Sequence, residues 1–541
     1  MIVRAPEIFD VCIVGSGAAG GFMAKELCEA GAKAVLLEAG RPVGPEELQT
    51  RKWPFELPER KSHLERCAPF YPDNIARSIG YVGDTVEIDR VRVLGGRTTR
   101  WSGVSLRFSP DDFRERTLNG IEEDWPLTYG ELEPYYAYVE EQIGLCGTRE
   151  GLEVLPDGVY VAPPPRMRCS EVIARDACQG LGIRMIPTRK ALALRPLKGR
   201  AACNYCGRCM DGCDIGAIFT SANSLIPAAS ATGNLTLRCD ALVRQVLVDG
   251  DGQACGVSFV DRRTGKEEEV RARIVVVSCS TVESARLLLN SACAKHPNGL
   301  ANSNDLVGRY LHGNSVASFF GYLTSLAGTE PVNNDGAADH SYIPRFNHRR
   351  RDKGYVGGFG MQLHAASGMY PYHAHRLPGF GEAFKNEVRR LFPALLQMNA
   401  YGKVLARAEN RVVVDPDRCD SFGIPMPVVH FEFCDNDRAL YRDMVASVEE
   451  IYHAAGAEHL FHAPGAIFGL GSHEVGTCRM GRSARKSVLN SYCQSHEVAN
   501  LFVVDGSCMV TLPEKNLTLT LMALAVRSAR YIVDQRRKGE L

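Results

Sequence analysis

The 541 residues carry no surplus of charge: 63 Lys and Arg balance 63 Asp and Glu, with no long run of either sign. That removes the electrostatic case for nucleic acid or an anionic membrane surface as a partner. No apolar run approaches the about eighteen residues that a membrane-spanning helix needs. The first ten residues, MIVRAPEIFD, lead straight into a strand-like run. They contain no export leader and no twin-arginine stretch, so the cytoplasm is the expected compartment. Cysteine is not scarce. In a long chain without an export signal, nineteen cysteines are expected as thiols or metal ligands rather than disulfides. The length suffices for a large core and two domains.

What is present begins at Asp10. The stretch to Gly40 reads DVCIVGSGAAGGFMAKELCEAGAKAVLLEAG. Val11 to Val14 is a short apolar run suited to a buried parallel strand. Gly15, Gly17 and Gly20 then form G-x-G-x-x-G, with Ala18 opening a helix. The first glycine allows a tight turn, the second lets a pyrophosphate approach the backbone, and the third lets the helix pack on the strand. The helix N-terminus offers free N–H groups and the positive end of its dipole. A second apolar run, Ala34 to Leu37, ends in Glu38, where a carboxylate can accept hydrogen bonds from both ribose hydroxyls of an adenosine. Strand, glycines, helix, strand and acid in register point to a dinucleotide site on a Rossmann-like α/β layer. Glu38 is a poor partner for a 2′-phosphate, which favours FAD or NAD over NADP.

Residues 41 to 90 are rich in Pro, Arg and Glu without periodicity, and read as a surface excursion. Arg92 to Gly103 reads RVLGGRTTRWSG. Gly95 and Gly96 permit close backbone approach, Thr98, Thr99 and Ser102 offer hydroxyls, and Trp101 a flat surface; a Gly-rich turn with a buried tryptophan is the plainer alternative. DWPLT, residues 124 to 128, opens a helix with Pro126 in its first turn. From Asn234 to Val277 an alternating pattern containing Val243 predicts an antiparallel ribbon, turning at 249–252 and 264–265 and returning as a buried strand at Ile274 to Val277.

The opening motif, the GG-x-T-T-x-W segment and the DWPLTYGELEPYY helix resemble the FAD-dependent glucose-methanol-choline (GMC) oxidoreductases, and the likeness extends over nearly the whole chain. It is nearest to the sugar- and polyol-oxidising branches, the pyranose oxidase-like and gluconate dehydrogenase-like groups. In pyranose oxidases a histidine just before a tryptophan bonds the flavin covalently. Arg100 stands there in this chain, so the resemblance implies non-covalent FAD. STVESARLLLNS, residues 280 to 291, resembles a second family signature, with Ala285 in place of proline and Ala292 in place of glycine. The implied division is an FAD-binding part at 1–313 and 464–541, and a mostly antiparallel β-sheet substrate domain at 314–463. There Gln362, His364, Gln397 and Asn399 could face the pocket, against the structural role that polar residues on half-buried strands usually have.

Cys203, Cys206, Cys209 and Cys213 follow C-x2-C-x2-C-x3-C, the spacing of a bacterial ferredoxin run without its final proline. An iron–sulfur cluster, a zinc ion and reduced structural thiols are the alternatives, with thiols preferred. A single cluster would need relaxed geometry, three cysteine ligands or a remote fourth. Some dehydrogenases resembling the family carry a three-iron cluster in a comparable place; it would relay electrons to an external acceptor.

Near the C-terminus, GSHEVGTCRM at 471–480 matches the family pattern H-x-x-G-T-C-R-M. The resemblance makes His473 the base toward a substrate hydroxyl, work that suits a side chain titrating near neutrality. LFVVDGS, residues 501 to 507, is expected as a buried strand that brings Asp505 and Gly506 to the flavin ribityl or pyrophosphate. Asn516 matches the second catalytic position, where an amide can bond the substrate oxygen but is no general base. Leu517 stands where proline is usual, and Thr518 follows at the start of the last helix. The implied activity is oxidation of a CH–OH group, of a sugar, glycoside or polyol before a simple alcohol or sterol. The implied partners are that substrate and an electron acceptor, either oxygen or another such as a redox protein, and a homo-oligomer is compatible with the sequence.

Overall fold

The computed structural model describes residues 8–48, 79–84, 86, 88, 90–330, 339–347, 351–364, 371–462, 470 and 472–541. Most of the 41–90 excursion, Gly471 and the His364 side chain lie outside the described residues. In chain order the strands are β1 Ile8–Val14, β2 Ala34–Leu37, β3 Gly80–Gly83, β4 Ile186–Pro187, β5 Leu235–Arg238, β6 Ala241–Val248, β7 Ala254–Asp261, β8 Glu267–Val277, β9 Asn314–Leu323, β10 Ser341–Ile343, β11 Phe359–His364, β12 Leu395–Lys403, β13 Arg411–Cys419, β14 Pro425–Phe431, β15 Ala457–His462 and β16 Leu501–Val503.

The first sheet runs β5-β2-β1-β8-β7-β6, with β16 also on β8. β5, β2, β1, β8 and β16 are parallel, and β2, β16 and Val11–Val14 of β1 are apolar runs buried on both faces. β6 and β7 form the predicted antiparallel ribbon. β8 serves both patterns: Glu267–Arg271 pairs with β7, while Val275–Val277 is fully buried and pairs with β16. The helices Ala18–Glu29 and Thr518–Lys538 pack together on this sheet, so the two ends of the chain share one core.

The second sheet, β15-β9-β12-β11-β10-β4, is antiparallel throughout. The helix Asp435–Ala454 covers one face, placing Leu440, Met444, Val448, Ile451 and Tyr452 at helical spacing against Phe319, Met361 and Met398. The period of two sends the intervening residues to the other face, toward the first sheet. The chain therefore has the expected class, an α/β nucleotide-binding layer with a second, mostly antiparallel sheet. β13 and β14 leave that second sheet and join β3, and Val412, Val429 and Phe431 belong to the core of the first layer.

Two local expectations shift. Pro126 precedes its helix rather than opening it: the helix starts at Tyr129 because Thr128 caps it, with Thr128 N–H donating to Glu131 Oε2 at 2.8 Å and Glu131 N–H to Thr128 Oγ1 at 3.3 Å. The strand at 501–507 stops at Val503, because Asp505 turns the chain into a short helical turn at Gly506–Cys508.

Candidate active site

One cavity of about 480 Å³ lies where the two sheets face each other. Its nucleotide end is built by β1 and the turn after it. Gly15 sits at φ +99°, and a Cβ there would stand 2.3 Å from the Ser278 carbonyl oxygen. A Cβ at Gly17 would meet nothing within 4 Å, so that position opens onto the cavity. No side chain caps the helix that begins at Ala18, which leaves its first-turn N–H groups to a ligand. Gly20 does not line the cavity; it lets the helix press onto Gly15.

Glu38 closes this end. It is buried, its Oε2 accepts from Ser16 N–H at 3.1 Å and Ser16 Oγ at 2.6 Å, and its Oε1 from Gly40 N–H at 2.8 Å. Burial pushes its carboxyl above the ordinary range despite those donors. Each oxygen keeps acceptor capacity for a ribose hydroxyl.

The Gly95–Ser102 segment lies across the cavity. Gly95 N–H donates to Ser16 Oγ at 2.9 Å, which ties the segment to the nucleotide turn. The Thr98 and Thr99 hydroxyls donate to Gly95 O and Gly96 O at 2.6 and 2.7 Å, so they shape their own turn. Trp101 donates its indole N–H to Phe219 O at 2.7 Å, and its ring, with Gly96, Thr98 and Ser102, lines the cavity. Val243 enters from the ribbon. Asp505 and Gly506 also line it, with the Asp505 carboxylate engaged by Ser280 N–H at 3.0 Å and the hydroxyls of Ser284 and Ser507, each at 2.5 Å. Its carboxylate therefore braces the turn at Ser280 and Ser507.

The other end holds His473, buried to 9% exposure. Ser472 before it is a non-glycine residue at φ +57°, a costly conformation that its surroundings must enforce. Arg97 does so: it bonds Ser472 O at 2.5 Å and pairs with buried Glu474 at 2.7 Å. His473 Nδ1 lies 2.9 Å from Asn314 Oδ1, and its Nε2 3.2 Å from Asn516 Nδ2. Gln362 donates to Asn516 Oδ1 at 2.6 Å. Burial, aided by Arg97, lowers the imidazole to about 3, so it is neutral at ordinary pH. Leu517 and Thr518 line the wall beside Asn516 and start the last helix.

The second sheet contributes Gln362, Asn399 and Tyr401, the Tyr401 ring 5.6 Å from that of His473. Gln397 pairs with His364 one step further along the strands and does not line the cavity; the His364 side chain lies outside the described residues. Sequence reasoning missed Asn314, Arg97, Glu474, Asp339 and Tyr401, all but Asn314 of which line it. Glu474, inside the histidine motif, and Arg97, inside the GG-x-T-T-x-W segment, carried a local signal; the others did not.

The cysteine run forms a wall instead of a centre. Cys209 is buried and the other three half-buried, with Cys203, Cys209 and Cys213 packed near Trp101 and Ile218. Burial raises the Cys203 thiol to about 12 and also raises Cys206 and Cys213. Among the described residues no three His, Cys, Asp or Glu side chains are gathered to hold a metal, so these cysteines do not fit a cluster as placed. The loop instead lends Met210 to the cavity, its carbonyl accepting from Arg100 Nε at 3.0 Å. No helix among the described residues is long and apolar enough to cross a membrane.

The parallel sheet and the polar face of the antiparallel sheet thus share one cavity, the arrangement of a two-layer flavoenzyme fold. The chain belongs to the GMC oxidoreductase family: the N-terminal family model matches residues 12–316 and the C-terminal one residues 406–525. Among its relatives, 2-methyl-1,2-propanediol dehydrogenase of Mycolicibacterium austroafricanum is 33% identical over 97% of both chains. The fructose dehydrogenase large subunit of Gluconobacter japonicus is 27% identical over 98% of both. Pyridoxine 4-oxidase from Mesorbium loti has the same fold, with a TM-score of 0.66 at 18% identity, over 97% of this chain and 99% of that one.

Proposed function

We propose that the protein oxidises a CH–OH group of a polyol or sugar, with non-covalent FAD in the cavity and His473 as the base. The observation that carries this is the pairing of neutral, buried His473 with Asn516 at one end of the cavity whose other end is the uncapped helix and Glu38. The residues fit an FAD. In this reading Glu38 would hold the adenosine ribose, Gly15, Gly17 and Ala18 the pyrophosphate, and Gly96, Thr98, Trp101, Ser102, Val243, Asp505, Gly506, Leu517 and Thr518 the rest; that all of them line one cavity supports it. Arg100, at the position of the linking histidine in pyranose oxidases, cannot form that bond.

When bound, FAD supplies the acceptor for the hydride leaving the alcohol carbon. His473 Nε2 takes the hydroxyl proton, and Asn516 Nδ2 donates to the substrate oxygen as it gains negative charge. The cavity face of the second sheet, drawn from 314–463, presents Gln362, Asn399 and Tyr401 to the substrate; these are amide and phenol groups suited to hydroxyls. The substrate class is supported by the relatives, whose names identify a diol and a sugar as what they oxidise.

The test is anaerobic bleaching of the flavin by a panel of polyols, sugars and simple alcohols. Wild type should bleach with at least one polyol or sugar. His473→Ala should retain FAD and reduce it at least about 100-fold more slowly, the usual range for a lost general base. Near wild-type reduction by that variant would remove the assignment.

A further inference from the structure

The hydrogen bonds through His473 run in one direction. Asn314, fully buried at the first position of β9, donates through Nδ2 to two backbone carbonyls, Pro513 O at 2.8 Å and Gly402 O at 3.3 Å. Carbonyl oxygens only accept, so this amide has a single orientation. Its Oδ1 is therefore the atom 2.9 Å from His473 Nδ1. An amide oxygen also only accepts, so Nδ1 carries the imidazole proton. Nε2 keeps its lone pair and accepts from Asn516 Nδ2 at 3.2 Å. At the far end Gln362 Nε2 donates to Asn516 Oδ1 at 2.6 Å, which fixes the second amide with its NH2 toward the histidine.

We propose that Asn314 is a positioning residue that holds His473 in the Nδ1–H tautomer, so that Nε2, the nitrogen beside Asn516, is the one able to take the substrate proton. The inference rests on His473 being the base. Both neutral tautomers of a free imidazole are accessible, and the one with Nε2–H has no lone pair where the alcohol arrives. Asn314 selects between them with a neutral acceptor. A carboxylate in its place would favour the imidazolium, which cannot accept a further proton. Once Nε2 has taken the proton, the same Asn314 oxygen still accepts from Nδ1–H, while Asn516 Nδ2, itself a donor, gives up its bond to Nε2 and turns to the substrate oxygen. Gln362 holds Asn516 in the matching way.

The first measurement needs no substitution at Asn314. In FAD-loaded wild type with 15N-labelled histidine, the ring signals lost in His473→Gln identify His473. They should show protonated Nδ1 and unprotonated Nε2 at neutral pH; protonated Nε2 overturns the proposal. The second uses Asn314→Leu, which should admit the Nε2–H tautomer and slow anaerobic flavin reduction about 10- to 100-fold, less than the full loss of a general base because part of the population keeps Nδ1–H. The solvent isotope effect on that step should rise, because proton transfer becomes limiting; a merely structural loss would not raise it. A rate within about twofold of wild type, with an unchanged isotope effect, overturns the proposal. If His473→Ala itself reduces flavin normally, the base reading fails first. If only Asn314→Leu is normal, the base reading survives and the positioning role falls. The wild-type spectrum decides even where Asn314→Leu does not fold.

Discussion

A methyl group added at Gly20 would stand 1.9 Å from the carbonyl oxygen of Gly15, and that oxygen is backbone, with little room to retreat. Gly20→Ala should therefore lift the first helix off its turn. Overpacking of this kind costs about 1–3 kcal/mol, and here it would also spoil the phosphate-facing amides. The expected result is a lower thermal midpoint together with FAD lost on gel filtration; unchanged values for both would sink the argument. The same residue shows what a sequence discloses at this scale. Gly15, Gly17, Gly20 and Glu38 were legible because the turn and the acid are local and each has one physical task. Asn314 was not: it meets His473 across 159 positions of chain, and nothing in NSVASFFGYL marks its first residue as more than a strand start. Gln362 and Asn399 were legible as candidates only through strand alternation. That rule also nominated Gln397, which lies on the same face beyond the cavity.

Among the elements, the segment leading into the last helix is held by a buried ionic knot. Asp112 meets Lys515 at 2.7 Å and Arg345 at 2.8 Å, while Glu514 meets Arg345 at 3.3 Å and Lys515 at 3.4 Å. All four are nearly inaccessible, and two cations balance two anions. Burial alone would raise the Asp112 carboxyl, but Arg345 and Lys515 hold it well below the usual range. Asp112→Asn leaves two buried cations facing one carboxylate, and breaking a buried pair costs about 3–5 kcal/mol. Urea denaturation should show a loss of that order, and because Lys515 directly precedes Asn516, flavin reduction should slow as well. A loss under about 1 kcal/mol would mean that the knot is solvated. None of this could be read in the sequence, where Asp112, Arg345 and Lys515 are isolated charges. Strands were legible where an apolar run or an alternation marked them, as in β2 and the β6–β7 ribbon. The pairing of β14 with β3, more than 340 residues away, carries no local signature.

At the scale of the whole fold, burial holds three imidazoles among the described residues neutral: His473 at about 3 and His312 and His373 each at about 4. In the unfolded chain each titrates near 6.5, so below that pH the unfolded state binds protons that the native state refuses. Each histidine's contribution to stability is therefore complete above about 6.5 and is lost as pH falls toward 4, at up to about 1.4 kcal/mol per pH unit. Buried carboxylates such as Glu38 and Asp505, raised by burial, act with the opposite sign, so the net slope alone does not isolate the histidines. Substitution does. His312 sits between the two sheets' territories, its backbone paired with Val475 and its Nδ1 2.7 Å from Tyr310 O, with desolvation the main cause of its low value. In His312→Gln, stability measured by urea denaturation at pH 7, 6 and 5 should fall less steeply with acid than in wild type, by about 1.4 kcal/mol per unit near pH 5. His373→Gln, in a different part of the fold beside Phe320, should flatten the curve by a similar amount. The double variant should then show the sum, because the two imidazoles belong to separate surroundings. Parallel curves for wild type and both variants would mean that the imidazoles are protonated in the native state, and that the buried, neutral setting argued for His473 does not extend to these positions.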